Sequence, residues 1–120
     1  MTNEESIRAN ADLVLKMFAE HGLKLDAASV SWIDGFIERN RQVWDADTRA
    51  SMVSILGSFL GECVIEDFGG DWKMTDNGLA VMFDERNGVL PFNKVEKQIA
   101  NGSEDSIESF YRTTKVVFNR

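Results

Sequence analysis

The chain reads as an α+β domain: three N-terminal helices, a small antiparallel three-stranded sheet and C-terminal helices, all within residues 1–120. Three observations carry that reading. Apolar residues recur at helical spacing through the first half. After Gly69-Gly70 the period changes, and Leu79, Val81 and Phe83 alternate with Ala80, Met82 and Asp84 as in a strand. Helical spacing then returns beyond Pro91. Three strands persist only when a helix covers one face, and the third helix is the natural cover. With 120 residues, no repeat and no low-complexity tract or long linker, one core and one domain are expected.

Each element has its own signal. Asn3 or Thr2 can cap the first helix, with Glu4 and Glu5 in its first turn and Ile7, Ala11, Val14, Leu15 and Phe18 as its stripe. Gly22 ends it. Asp26 or Ser29 can cap a second helix running to about Arg41, with Val30, Ile33, Phe36 and Ile37 on its buried face. Gly35 weakens that helix, so it permits close packing or marks a bend. Asp45 or Asp47 opens the third helix, which ends near Asp67. Met52, Val53, Leu56, Phe59, Leu60, Cys63 and Val64 make it the central helix. Gly57 and Gly61 leave one side of it without side chains, so a strand or helix can approach closely.

Strands are expected at Asp71 to Thr75, with Trp72 and Met74 on one face, and at Gly78 to Glu85. A third is expected at Val89 to Phe92. Asp76-Asn77-Gly78 is a turn and Arg86-Asn87-Gly88 a hairpin signal. Pro91 cannot donate to a ladder, which favours an edge or a strand end. A short helix is expected from Asn93 to Asn101-Gly102. A last one starts near Ser103 or Asp105, with Ile107, Phe110, Tyr111, Thr114 and Val117 or Phe118 as its face.

Charge narrows the function classes. At 43% hydrophobic the composition is globular. The net charge of -7 and a pI of about 4.6 argue against nucleic acid, which needs a basic patch. Only Arg39, Arg41 and the spread pair Lys94 and Lys97 come near to one. Acidity fits a basic protein partner. No apolar run reaches about 18 residues, so no membrane span is expected. The polar, acidic opening MTNEESIRAN is unlike a secretory leader, and the expected location is a bacterial-type cytoplasm. Cys63 has no second cysteine to pair with and reads as a buried thiol.

Reactive constellations are sparse. His21 is the sole histidine, and its place beside Gly22 suits a helix end. Ser31, Ser54 and Ser58 have no visible histidine base. There is no Walker sequence or dinucleotide-binding glycine pattern. Asp45, Asp47, Glu62, Glu66 and Asp67 could supply a hard oxygen site for a metal, but a solvated acidic surface with helix-start carboxylates explains them better, and no metal is expected. No cofactor is expected. Glu62 and Glu66 share a helix face and could do acid-base work in a cleft. Glu62 sits among residues that should pack, and a buried carboxylate needs a partner. Lys94 is the expected one, as an ion pair tying helix to sheet.

Trp44, in the polar connection RNRQVWDADTR, and Trp32, beside Asp34, read either as protein-binding anchors or as packing over a helix end. Trp72 is expected on the sheet face; Asp71, Arg86 and Asn93 could rim the same side, but a solvated loop role suits them better.

The succession LGSFLGE, GGDW, GLAVMFD, PFNKV and NGSEDSI, from about Leu56 to Phe110, resembles a family of small bacterial proteins of unknown function. The resemblance implies no catalytic residues. Similar small acidic α+β proteins act as immunity proteins beside secreted bacterial toxins, an analogy of size, charge and architecture.

Two functions are therefore expected. The first is a non-catalytic cytoplasmic protein-binding domain, of immunity type, in which Asp34, Glu38, Asp45, Asp47, Glu62 and Glu66 meet a basic partner and Trp44 anchors it. The second is a small-ligand or regulatory domain using a helix-sheet crevice lined by Glu62, Lys94 and Trp72. An enzyme ranks below both, because nothing supplies a nucleophile and a base together. Homodimerisation is compatible with each.

Overall fold

A computed structural model describes residues 3–118. Five α-helices and a three-stranded antiparallel sheet share one core, the α+β arrangement expected. Helix α1 spans Asn3–Met17, α2 Ala27–Asn40 and α3 Ala46–Phe68; the strands are β1 Asp71–Thr75, β2 Gly78–Met82 and β3 Gly88–Val89; α4 is Pro91–Asn101 and α5 Ile107–Val117. Thr2, one candidate cap of α1, lies outside the described residues.

The helix starts follow local chemistry. Asp26 accepts the Ser29 N–H at 2.9 Å, while the Ser29 hydroxyl accepts the Lys24 N–H at 2.8 Å. Asp45 accepts the Thr48 N–H at 2.8 Å, and these Thr48 bonds hold its carboxyl below the ordinary aspartate value. After α1 the chain makes a short 3₁₀ turn, Ala19–His21, and Gly22 closes it in the left-handed region at φ 63°.

Helix α3 is 23 residues long and apolar enough, by length and composition, to cross a membrane. Here it is the core helix, packed between α1 and α4. Leu56, Phe59, Leu60, Cys63 and Val64 are all buried on it. The buried Ser58 hydroxyl donates back to the Ser54 carbonyl at 2.7 Å, so it leaves no unsatisfied polar group.

The sheet is a simple meander, β1-β2-β3. Its register pairs Trp72 with Val81, Met74 with Leu79, and Val81 with Val89, which puts these side chains on one face. Two strands are shorter than the alternation predicts. β2 stops at Met82 because Asp84 bends the chain: its carboxylate accepts the backbone N–H groups of Arg86 and Asn87, both at 2.8 Å, and the Asn87 amide. β3 ends at Val89, and Pro91 opens α4 rather than ending a strand. Its missing N–H falls where a helix has no use for one. The last helix starts later than predicted, with Ser106 as its cap; Ser103 and Asp105 lie in a 3₁₀ turn before it.

A polar seam joins α2, α4 and α5. Gln98 is fully buried; its amide donates to Glu38 Oε1 at 3.1 Å and to the Asp34 carbonyl at 3.4 Å, while its oxygen accepts the Ile107 N–H at 2.9 Å. The Asp34 carboxylate accepts from the Ser106 hydroxyl at 2.5 Å and the Glu108 N–H at 3.0 Å. Arg41 reaches the last turn of α4, donating to the carbonyls of Ile99 and Ala100, both at 2.9 Å.

Candidate functional site

The glycine face of α3 is filled. A Cβ at Gly57 would stand 2.4 Å from the Phe92 ring, and one at Gly61 would stand 2.1 Å from the Trp72 ring. Strand β1 and the start of α4 thus both press onto α3, with the Trp72 and Phe92 rings 5.6 Å apart. Trp72 is 9% exposed, and its indole N–H donates to Glu62 Oε2 at 3.0 Å. Between Glu62 and Trp72 the space expected as a crevice is therefore filled by the indole.

Lys94 is not the partner of Glu62. Its ammonium lies 5.4 Å from the centre of the Phe110 ring, on the side of α4 that faces α5. The expected ion pair is replaced by the indole-carboxylate hydrogen bond. The cause is the Phe92 contact: seating Phe92 on Gly57 turns Lys94, two residues on, towards α5.

The other expected site residues separate. Asp47 and Glu66 are exposed at opposite ends of α3, about 28 Å apart by helical rise. Asp34 and Glu38 are held in the seam, Asp45 caps α3, and Glu62 is bonded to Trp72. The six carboxylates proposed as one acidic face do not form one. Asp71 lies in a shallow hollow with Lys73, Asp84 and Glu85, across the sheet from Trp72. Asn93 belongs to another hollow, between α1, α3 and the β1-β2 turn. Neither rims Trp72.

Trp44 belongs to a row of aromatic rings along α2. Its ring stands 5.7 Å from Phe36, which stands 5.7 Å from Trp32 in a stacked arrangement; Phe18 touches both Trp32 and Phe36, at 4.7 and 4.8 Å, and His21 lies on Trp32 at 4.6 Å. The Arg39 guanidinium covers the Trp32 ring at 5.8 Å. Phe18, Trp32, Phe36 and Trp44 are all half-buried, and beside Trp44 the side chain of Val43 is 80% exposed. Phe36 and Val43 were not among the residues singled out as contacts. Phe36 carried a core signal from its helical spacing, and Val43 had only its apolarity within RNRQVWDADTR.

The titratable groups are placed for structure. Burial holds the Cys63 thiol far above its ordinary value, which keeps it protonated and unreactive. The Tyr111 hydroxyl donates to the Asp67 carboxylate and to the Cys63 carbonyl, at 3.0 Å for the latter. Burial first, and that bond second, push its ionisation well above the usual phenol range. His21 meets Glu20 at 3.5 Å on the surface. No serine, cysteine or threonine is hydrogen-bonded to it among the described residues, and no three histidine, cysteine or acidic side chains converge there.

No family model matches the chain, and neither a curated protein nor a solved structure does.

Proposed function

We propose that the chain is a non-catalytic protein-binding domain, and that the aromatic row on α2 with the α2-α3 connection is its contact face. The observation that carries this is the pairing of Val43, 80% exposed, with a continuous half-buried row of large rings. Aromatic side chains held at half exposure offer contact area with little freedom to lose. The partner is a basic protein. Arg41 and Arg49 turn their guanidiniums onto backbone carbonyls at this end of the molecule, and the exposed Asp45 and Asp47 near Trp44 stand against one exposed guanidinium on the row, that of Arg39 over Trp32. The net charge of -7 adds long-range attraction for such a partner.

The fuller form of the proposal is a bacterial cytoplasmic, immunity-like protein that covers a basic toxin. Its support is the acidity, the size and the loose likeness to immunity proteins.

The test is capture from the native host lysate with tagged wild type, Val43→Asp and Trp44→Ala, each checked for folding by circular dichroism. A stoichiometric basic protein that is retained by wild type and lost with Val43→Asp supports the proposal. Retention of that protein by both variants, or capture of none, overturns it. So does a dimer in sedimentation that Val43→Asp dissolves, because a second copy of this chain would then own the face. Inhibition of the captured protein's activity by wild type alone separates the immunity form from simple binding.

A further inference from the structure

A second surface feature has a different chemistry. Strand β3, the start of α4 and α5 border an open groove of about 470 Å3, lined mainly by Val89, Leu90, Phe110, Val117 and Phe118. Its polar side chains are two threonines and Lys94. Of the threonines, Thr114 has its hydroxyl engaged with the Phe110 carbonyl at 2.9 Å. Lys94 forms no ion pair among the described residues. Glu96, two residues on in α4, makes no ion pair with it among the described residues, and the Lys94 ammonium lies over the ring of Phe110. The volume is within the range of small-molecule sites.

We infer that this groove binds a medium-chain carboxylate, with its apolar tail along Val89, Leu90, Phe110 and Phe118 and its carboxylate on the Lys94 ammonium. Charge complementarity selects the head group. An apolar wall with one unpaired cation favours an anion with a hydrocarbon body over a neutral or cationic one. A carboxylate accepts charge-assisted hydrogen bonds from the ammonium while leaving the cation's contact with Phe110 in place. This site is separate from the aromatic row, so it stands or falls independently of the protein-binding proposal.

The experiment is calorimetric titration of the full chain with octanoate, octanol and octylamine, on wild type, Lys94→Met and Val117→Glu. Lys94 and Val117 are half-buried and exposed respectively, and circular dichroism confirms that each variant is folded. The expected result is saturable one-to-one binding of octanoate, weakened about tenfold or more by Lys94→Met, which corresponds to about 1.4 kcal/mol. Octylamine does not bind, and Val117→Glu abolishes octanoate binding by placing a carboxylate in the groove. Equal affinity for octanoate and octanol, an unchanged affinity in folded Lys94→Met, or no saturable octanoate binding each overturn the inference.

Discussion

The ring of Trp72 occupies the space that a side chain at Gly61 would need: a Cβ there would lie 2.1 Å from both Cζ2 and Cη2. The contact has no flexible end to yield, since the Trp72 indole is also held by Glu62. Gly61→Ala must therefore expel the ring. It should cost at least about 2 kcal/mol, as overpacking of a filled core does. Gly57→Ala should behave alike, through Phe92. Gly35→Ala is the contrasting case. Its Cβ would meet only the guanidinium of Arg39, at 3.0 Å, the far end of a long side chain that can shift on Trp32, so the gain in helix propensity should dominate and raise stability by up to about 1 kcal/mol. Urea denaturation of the three variants tests the contrast, which fails if Gly61→Ala is no worse than Gly35→Ala.

The acceptor on Glu62 and the charge on Lys94 can be separated by mutation. Glu62→Ala removes the partner of the Trp72 N–H and should destabilise by about 1–2 kcal/mol. Lys94→Met should change stability by less than about 0.5 kcal/mol, since no ion pair is lost. Equal losses in both variants would restore the helix-to-sheet ion pair and sink the indole assignment.

Gln98 satisfies groups on two neighbouring helices from a fully buried position. Gln98→Leu keeps the volume approximately but orphans the Ile107 N–H and leaves Glu38 without its donor. A loss of about 2–4 kcal/mol is expected in thermal and urea unfolding. A neutral result would show that water replaces the amide.

Tyr111 is the chain's single tyrosine, so phenolate absorbance reports on it alone. Its folded-state ionisation is raised above the unfolded value of about 10. The folded state therefore holds the proton more tightly. The stabilisation is complete below about pH 10 and diminishes as pH rises above it. A spectroscopic titration should show no phenolate near pH 10 and its abrupt appearance with alkaline unfolding. Smooth titration of a still-folded chain around pH 10 would contradict the part-buried hydrogen bond to Asp67. Tyr111→Phe should remove the absorbance signal.

Local signals were readable in the sequence where local chemistry decides structure. Asp26 and Asp45 cap the helices they precede, and Gly57 with Gly61 marked a face meant for close approach. Pro91 was misread because the same missing N–H suits a strand edge and a first helical turn, and only the docking of α4 on α3 distinguishes them. Gln98 gave no signal, since a glutamine in a helix is ordinarily solvated. The site was less legible than the fold. Glu62 was singled out rightly as a carboxylate needing a partner, but its partner is the ring that fills the neighbouring glycine notch. Six carboxylates looked like one surface in sequence, yet helix length separates Asp47 from Glu66, and capping and hydrogen bonding employ the others.

Arg49 donates to the carbonyls of Arg41 and Trp44, at 3.0 and 3.1 Å, while Arg41 is itself tied to the end of α4. The short connection carrying Val43 and Trp44 is thus braced from both ends before anything docks on it. Association through this segment would surrender little conformational entropy, so its affinity would respond more to the fit of the partner than to any ordering of this chain.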